Sequence, residues 1–236
     1  MFRLTRCRLL ALLLWTAAPI SAHADIVPLP AYNIDITQTS VSGLSSGAFM
    51  AVQYGVAYSS LIKGVGVMAG GPYYCAKDDL QTAQNKCMAA SSPINVNDLI
   101  RITDQNAQAG AIDATSNLQG QRIWLFSGTQ DSVVKQSVEN DLQRYYQHYI
   151  GNNNIFYKND VAAGHAVPTD SFGNSCSSTA DPYINNCAYD GAGELLKWIY
   201  GNLNPPNTGT LKGTFTEFDQ SQFIPNPNSH SMANSG

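Results

Sequence analysis

Ten residues, Val41-Ser42-Gly43-Leu44-Ser45-Ser46-Gly47-Ala48-Phe49-Met50, limit what the rest of the chain can fold into. They contain Gly-x-Ser-x-Gly between two kinds of periodicity. Residues 34–41 are rich in β-formers and free of proline, so they read as a strand. Phe49, Val52 and Val56 then fall on one face at helical spacing. Strand, sharp turn and helix make a nucleophile elbow, which raises a serine Oγ above the end of a parallel sheet. Gly43 and Gly47 read as positions where a Cβ would crowd that turn. Ser45 is the candidate nucleophile, and the Ser46 backbone N–H, at the start of the helix, is placed to help bind an oxyanion.

The first 24 residues read as a secretory signal. Arg3, Arg6 and Arg8 form a basic start, residues 9–20 an apolar stretch, and Ala22-His23-Ala24 a cleavage site. No later run approaches the ~20 apolar residues of a membrane span, so the expected product is exported, without a membrane anchor. Without those three arginines the chain carries 10 Lys+Arg against 17 Asp+Glu, a net charge of −7. That sign argues against nucleic acid or anionic membrane as a partner. Cys7 leaves with the signal. Cys75, Cys87, Cys176 and Cys187 remain, an even number as disulfides require, and three pairings are open. Cys75–Cys87 and Cys176–Cys187 are favoured, since each pair brackets one polar segment. With neither Cys-x-x-Cys nor paired histidines, a zinc site is not expected.

Beyond the elbow helix, the chain alternates. Residues 62–69 read as a buried parallel strand, 73–95 as a polar excursion, and 96–107 as a helix. Residues 122–126 read as a third strand. Val134, Val138, Leu142, Tyr145 and Tyr149 form the apolar stripe of a helix, and 154–158 a fourth strand. After a loop over 161–169 and a second polar loop over 170–190, Leu195, Leu196, Ile199 and Leu203 mark a last helix. Thr210 to Phe218 is β-like and precedes a Pro/Asn/Ser-rich end. Alternation implies right-handed crossovers, a parallel sheet and helices packed on both faces.

A serine hydroxyl needs a base, and the base an orienting carboxylate. Such groups belong at the carboxyl ends of strands. Asp131 follows the third strand in Ser127-Gly128-Thr129-Gln130-Asp131, and His165 follows the fourth in Ala163-Gly164-His165-Ala166. Their order matches the Ser…Asp…His order of α/β-hydrolases. His23 lies in the signal, His148 within a helix and His230 in the tail, while Asp160 comes one loop too late. No metal or organic cofactor is expected of this chemistry.

These blocks, together with Ala69-Gly70-Gly71-Pro72-Tyr73-Tyr74-Cys75-Ala76 and Gly164-His165-Ala166-Val167-Pro168-Thr169, resemble the extracellular short-chain-length polyhydroxyalkanoate depolymerases with a circularly permuted type 2 catalytic domain. The resemblance runs from about residue 34 to 235. It implies an α/β-hydrolase-like sheet, with the nucleophile at Ser45, the acid at Asp131 and the base at His165. The implied activity is hydrolysis of poly(3-hydroxybutyrate)-type polyesters. In the family a second half follows, with a His-Gly-Cys block for the other oxyanion N–H. Residues 25–206 would thus be the catalytic domain and 207–236 the start of that half. The sheet is then expected to be incomplete, with an uncovered edge that would lower solubility and turnover. A polymer-binding relative without activity, and a lipase or feruloyl-type esterase, are the alternative readings. Tyr73 and Tyr74, after a strand's carboxyl end, are candidate substrate contacts, whereas Trp124, in mid-strand, reads as core.

Overall fold

In the computed structural model, residues 27–230 and 232–236 are described; the signal-like segment and Cys7 lie outside them. The chain divides into two units, Ile34–Pro206 and a second formed by its flanking segments.

The larger unit is built on four strands, β1 (Thr39–Leu44), β2 (Ile62–Met68), β3 (Arg122–Phe126) and β4 (Ile155–Lys158), in the order β1-β2-β3-β4. Every neighbouring pair is parallel. Because each right-handed crossover steps the same way along the sheet, the intervening helices share one face. These are α1 (Ser46–Ala57), α3 (Val96–Gln108) and α4 (Gln136–Tyr149). Val65, Val67, Ile123 and Leu125 meet them in the main core, with Ala51, Val52, Leu99, Val138 and Leu142. The last helix, α5 (Gly191–Tyr200), covers the other face, where Trp124, Phe126 and Met68 pack with Leu195 and Ile199. Trp124 is fully buried. Gly64 and Gly66 clear the way for α5: a Cβ at either would strike Ile199 or Leu195.

Several expectations shift. The strand expected over 34–41 starts later, because Asp35 turns the chain first. Its carboxylate accepts from Thr37 N at 3.0 Å and caps a 3-10 turn, Ile36–Gln38. The last helix stops before Leu203, which is exposed, because Gly201 at φ +82° ends it. The polar excursion folds into a short helix, α2 (Leu80–Thr82), continued by a wide π-turn, Ala83–Met88. The loops expected over 161–190 contain a small parallel sheet, β5 (Val167–Thr169), β6 (Asn174–Ser175) and β7 (Ile184–Asn186), ordered β5-β7-β6.

In the smaller unit, Phe218 exchanges both backbone hydrogen bonds with Gly236, and Asp219 N donates to Val27 O. The β-like stretch from Thr210 to Phe218 forms no strand. Its alternating pattern has no core to face, and Leu211 and Phe215 are exposed.

Candidate active site

The elbow forms where β1 runs into α1. Ser45 is the N-cap of α1, at φ 58° and ψ −122°, a conformation costly for any residue with a side chain. Two contacts hold it there. Ser45 N donates to Met68 O at 2.9 Å, fixing the turn to the end of β2, and Phe49 N donates to Ser45 O at 3.0 Å. The Ser45 side chain makes no capping bond, so Oγ is not consumed by the helix. Ser46 is the first residue of α1, where backbone N–H groups lack intrahelical acceptors.

The two elbow glycines differ. A Cβ on Gly43 would overlap the Gly47 carbonyl and Ala48 N, so Gly43 is required. A Cβ on Gly47 would meet nothing within 4 Å, which corrects the expectation of crowding there. Gly43→Ala should therefore destabilise by roughly 3 kcal/mol or prevent folding. Gly47→Ala, in a helix, should be neutral or stabilise by up to about 1 kcal/mol. Thermal melts of the two variants decide this, and equal losses would contradict it.

The candidate acid and base meet at the ends of β3 and β4. His165 Nδ1 donates to Asp131 Oδ2 at 2.7 Å, with both side chains nearly fully buried. The other carboxylate oxygen, Oδ1, accepts from Val133 N at 2.8 Å and Val134 N at 3.0 Å. Asp131 is thus locked by its own loop, and its free oxygen dictates that the ring proton sits on Nδ1. That leaves Nε2 as a proton acceptor. Among the described residues no hydrogen bond joins Ser45 Oγ to His165; nucleophile–base bonds are commonly looser before substrate binds.

The two loops are stitched together. Thr129 N donates to Val161 O at 2.8 Å and Gln130 N to Ala163 O at 3.1 Å. Gly128 lies so close to Ala163 that a Cβ there would strike its carbonyl. The histidine loop is held in turn by the segment that the sequence leaves as a polar loop. Gly164 N donates to Cys176 O at 2.8 Å and His165 N to Thr179 Oγ1 at 3.0 Å. Buried Asn185 donates from Nδ2 to Cys176 O and Ser178 O, both at 2.8 Å. A disulfide joins Cys176 to Cys187 across this segment, and another joins Cys75 to Cys87.

Ser45 lines a cavity of about 380 Å³ with Ser46, Phe49, Met50, Tyr74 and the Cys75–Cys87 bridge. Its walls are largely apolar, suited to the alkyl part of an ester. Tyr74 stands in this wall. Tyr73 does not: its ring is buried in the main core and its hydroxyl accepts from Asn106 Nδ2 at 3.3 Å. Tyr73 is enclosed by the core while Tyr74 is only partly buried at its margin, so the expectation of substrate contact at Tyr73 is corrected. Sequence reasoning passed over Tyr183, whose ring stands edge-on to His165 at 6.5 Å between centroids. Among the described residues no group of three His, Cys, Asp or Glu side chains could hold a metal ion. No described helix is long and apolar enough to cross a membrane.

No family model matches the chain. It is 50% identical over 218 residues to a poly(3-hydroxybutyrate) depolymerase from Delftia acidovorans, covering 92% of this chain and 43% of that one. It is 41% identical over 211 residues to a polyhydroxybutyrate depolymerase from Talaromyces funiculosus, covering 88% and 61%. The crystal structure of the PHB depolymerase from Penicillium funiculosum matches with a TM-score of 0.80 at 39% identity, over 89% of this chain and 65% of that one. A serine-to-alanine PHB depolymerase complexed with an R3HB trimer matches at 0.76 and 40% identity, covering 83% and 61%. The chain is a homologue of polyhydroxybutyrate depolymerases. It spans 43% to 61% of the length of the two curated relatives.

In this depolymerase homologue the parallel sheet with helices on both faces is α/β-hydrolase-like, and its elbow stands where that fold carries a nucleophile. The Cys176–Cys187 bridge has a testable role in it. Closing a loop of 11 residues contributes roughly 3 kcal/mol in the chain-entropy model. Its segment also carries two acceptors, Cys176 O and Thr179 Oγ1, that hold the His165 loop. A Cys176→Ala/Cys187→Ala variant should melt earlier and, where still folded, label at Ser45 with a fluorophosphonate about tenfold more slowly. Earlier melting with unchanged labelling would separate the bridge from the site.

Proposed function

We propose that the chain is a secreted serine esterase that hydrolyses the ester bonds of poly(3-hydroxybutyrate)-type polyesters. The observation that carries this reading is the buried Asp131–His165 pair at the same end of the parallel sheet as an elbow serine, in a chain half identical to a named depolymerase. In the mechanism, Ser45 Oγ attacks the ester carbonyl while His165 Nε2 takes its proton. The tetrahedral oxyanion is received by the Ser46 N–H at the start of α1. His165 then gives the proton to the leaving alkoxide oxygen, which departs as an alcohol, and an acyl-enzyme remains on Ser45. Water, deprotonated by His165, attacks that acyl group and releases a hydroxyalkanoate unit or oligomer. Asp131 holds the ring in the tautomer that both steps need and stabilises the imidazolium. The apolar cavity with Tyr74 on its wall would take the alkyl segment next to the scissile bond. Two bonded cysteine pairs support an oxidising, extracytoplasmic location.

Fluorophosphonate labelling with peptide mapping tests the nucleophile, and hydrolysis of an (R)-3-hydroxybutyrate trimer and polymer film tests the substrate. The expected result is one adduct, at Ser45, and turnover of the polyester in preference to a triglyceride or a feruloyl ester. A folded sample with no adduct at Ser45 defeats the reading.

A further inference from the structure

Glu139, in the first turn of α4, is fully buried, and no Lys, Arg or His among the described residues pairs with it. Its Oε2 accepts from Gly70 N at 2.6 Å, while Oε1 has no partner. Gly70 belongs to the junction that holds the elbow. Two residues earlier, Met68 O accepts from Ser45 N, and between them Ala69, at φ 55°, donates its N–H to Phe126 O at 2.9 Å. The other end of the bond is just as telling. Helix α4 follows the loop in which Asp131 accepts from Val133 N and Val134 N. One carboxyl therefore bridges the backbone that fixes the nucleophile and the helix that follows the acid.

We propose that Glu139 is a positioning residue whose carboxyl ties Gly70 to α4 and so sets the distance between the Ser45 elbow and the Asp131–His165 pair. This rests on the esterase reading above. The groups facing Glu139 are Asp131 from the preceding loop, Tyr146 from the same helix and Tyr157 from β4, none of them a cation. Burial pushes its carboxyl well above the usual range; the Gly70 N–H acts the other way, and the charge of Asp131 adds to the rise. Burial thus favours the protonated carboxyl, and a glutamine would keep an oxygen to accept from Gly70 N. A group raised in the folded state contributes stability that is complete below the ordinary carboxyl value of 4.5 and is lost as pH climbs toward the raised one. Ionisation there would also place a second negative charge near Asp131.

The test compares wild type, E139Q and E139L by the rate of fluorophosphonate labelling at Ser45, the kcat and KM for p-nitrophenyl butyrate, and melting from pH 4 to 9. Glutamine keeps an acceptor for Gly70 N; leucine fills the volume without one. E139Q should stay within about threefold of wild type at pH 7, and E139L should lose about 10- to 100-fold in kcat and labelling rate with little change in KM. E139Q should melt like wild type at pH 4 and above it as pH rises. A labelled wild type with E139L reacting as fast overturns the positioning role alone, whereas a folded wild type without a Ser45 adduct overturns the esterase reading and this role with it. Should E139L not fold, a folded E139Q more than about tenfold slower than wild type overturns the proposal.

Discussion

Ser45→Ala should lower ester hydrolysis by about 10⁴- to 10⁶-fold while leaving the fold intact. The size follows from what the hydroxyl is asked to do. Without it no acyl-enzyme can form, and only substrate binding and oxyanion donors remain to help a water attack directly. The intact fold follows from what the hydroxyl does not do. It makes no capping bond to α1, and the strained φ of Ser45 is imposed by its backbone bonds to Met68 and Phe49. Alanine can occupy that backbone at nearly the cost serine already bears. Hydrolysis of an (R)-3-hydroxybutyrate trimer, read beside a melting curve, is the measurement. A variant that melts like wild type and keeps more than about a hundredth of its rate would mean that Ser45 is not the nucleophile.

Asp131→Asn should cost about 10⁴-fold in kcat, again with the protein folded. The asymmetry of the carboxylate is the reason. Oδ1 already accepts from two backbone N–H groups, so an asparagine must keep its carbonyl there and turn its NH₂ toward the ring. His165 Nδ1 then has to accept, and the ring proton moves to Nε2, the atom that should take the proton from Ser45. The base is present and correctly placed but in the wrong tautomer. Asp131→Ala differs, since it also removes the acceptor for Val133 N and Val134 N and should lower the melting temperature. If the asparagine variant turns over within about tenfold of wild type, the ring is not oriented by this bond.

The geometry of the elbow was readable because its constraints are local. Gly43 is fixed by backbone contacts four residues away, and a strand before it and a helix after it leave their own periodicities. Asp131 and His165 were readable from their place after strands, since alternation settles which ends of a parallel sheet they share. What escaped the sequence depends on contacts between distant segments. Tyr73 and Tyr74 are chemically the same and adjacent, and only the packed core decides which ring is buried. The sheet over 167–186 consists of two- and three-residue strands, too short to carry a pattern, and its purpose becomes visible only where Cys176 O and Thr179 Oγ1 reach the histidine loop. Nothing in the sequence sets Glu139 apart at the start of its amphipathic helix. Its burial against Gly70 depends on the return of a strand 69 residues earlier.

The close fit of Gly128 on Ala163, and of Gly164 on the carbonyls of Ser177 and Ser178, bears on how such a protein can change over time. Three stretches of the chain have no slack between them, so no one of them can gain a side chain unless another retreats. Single-residue searches for variants with altered pH range or substrate choice will find these layers closed. Libraries that vary 127–131, 161–166 and 174–187 together, with partners kept matched, are where new arrangements of the base should be found. Grafting the histidine loop onto another scaffold would have to carry all three.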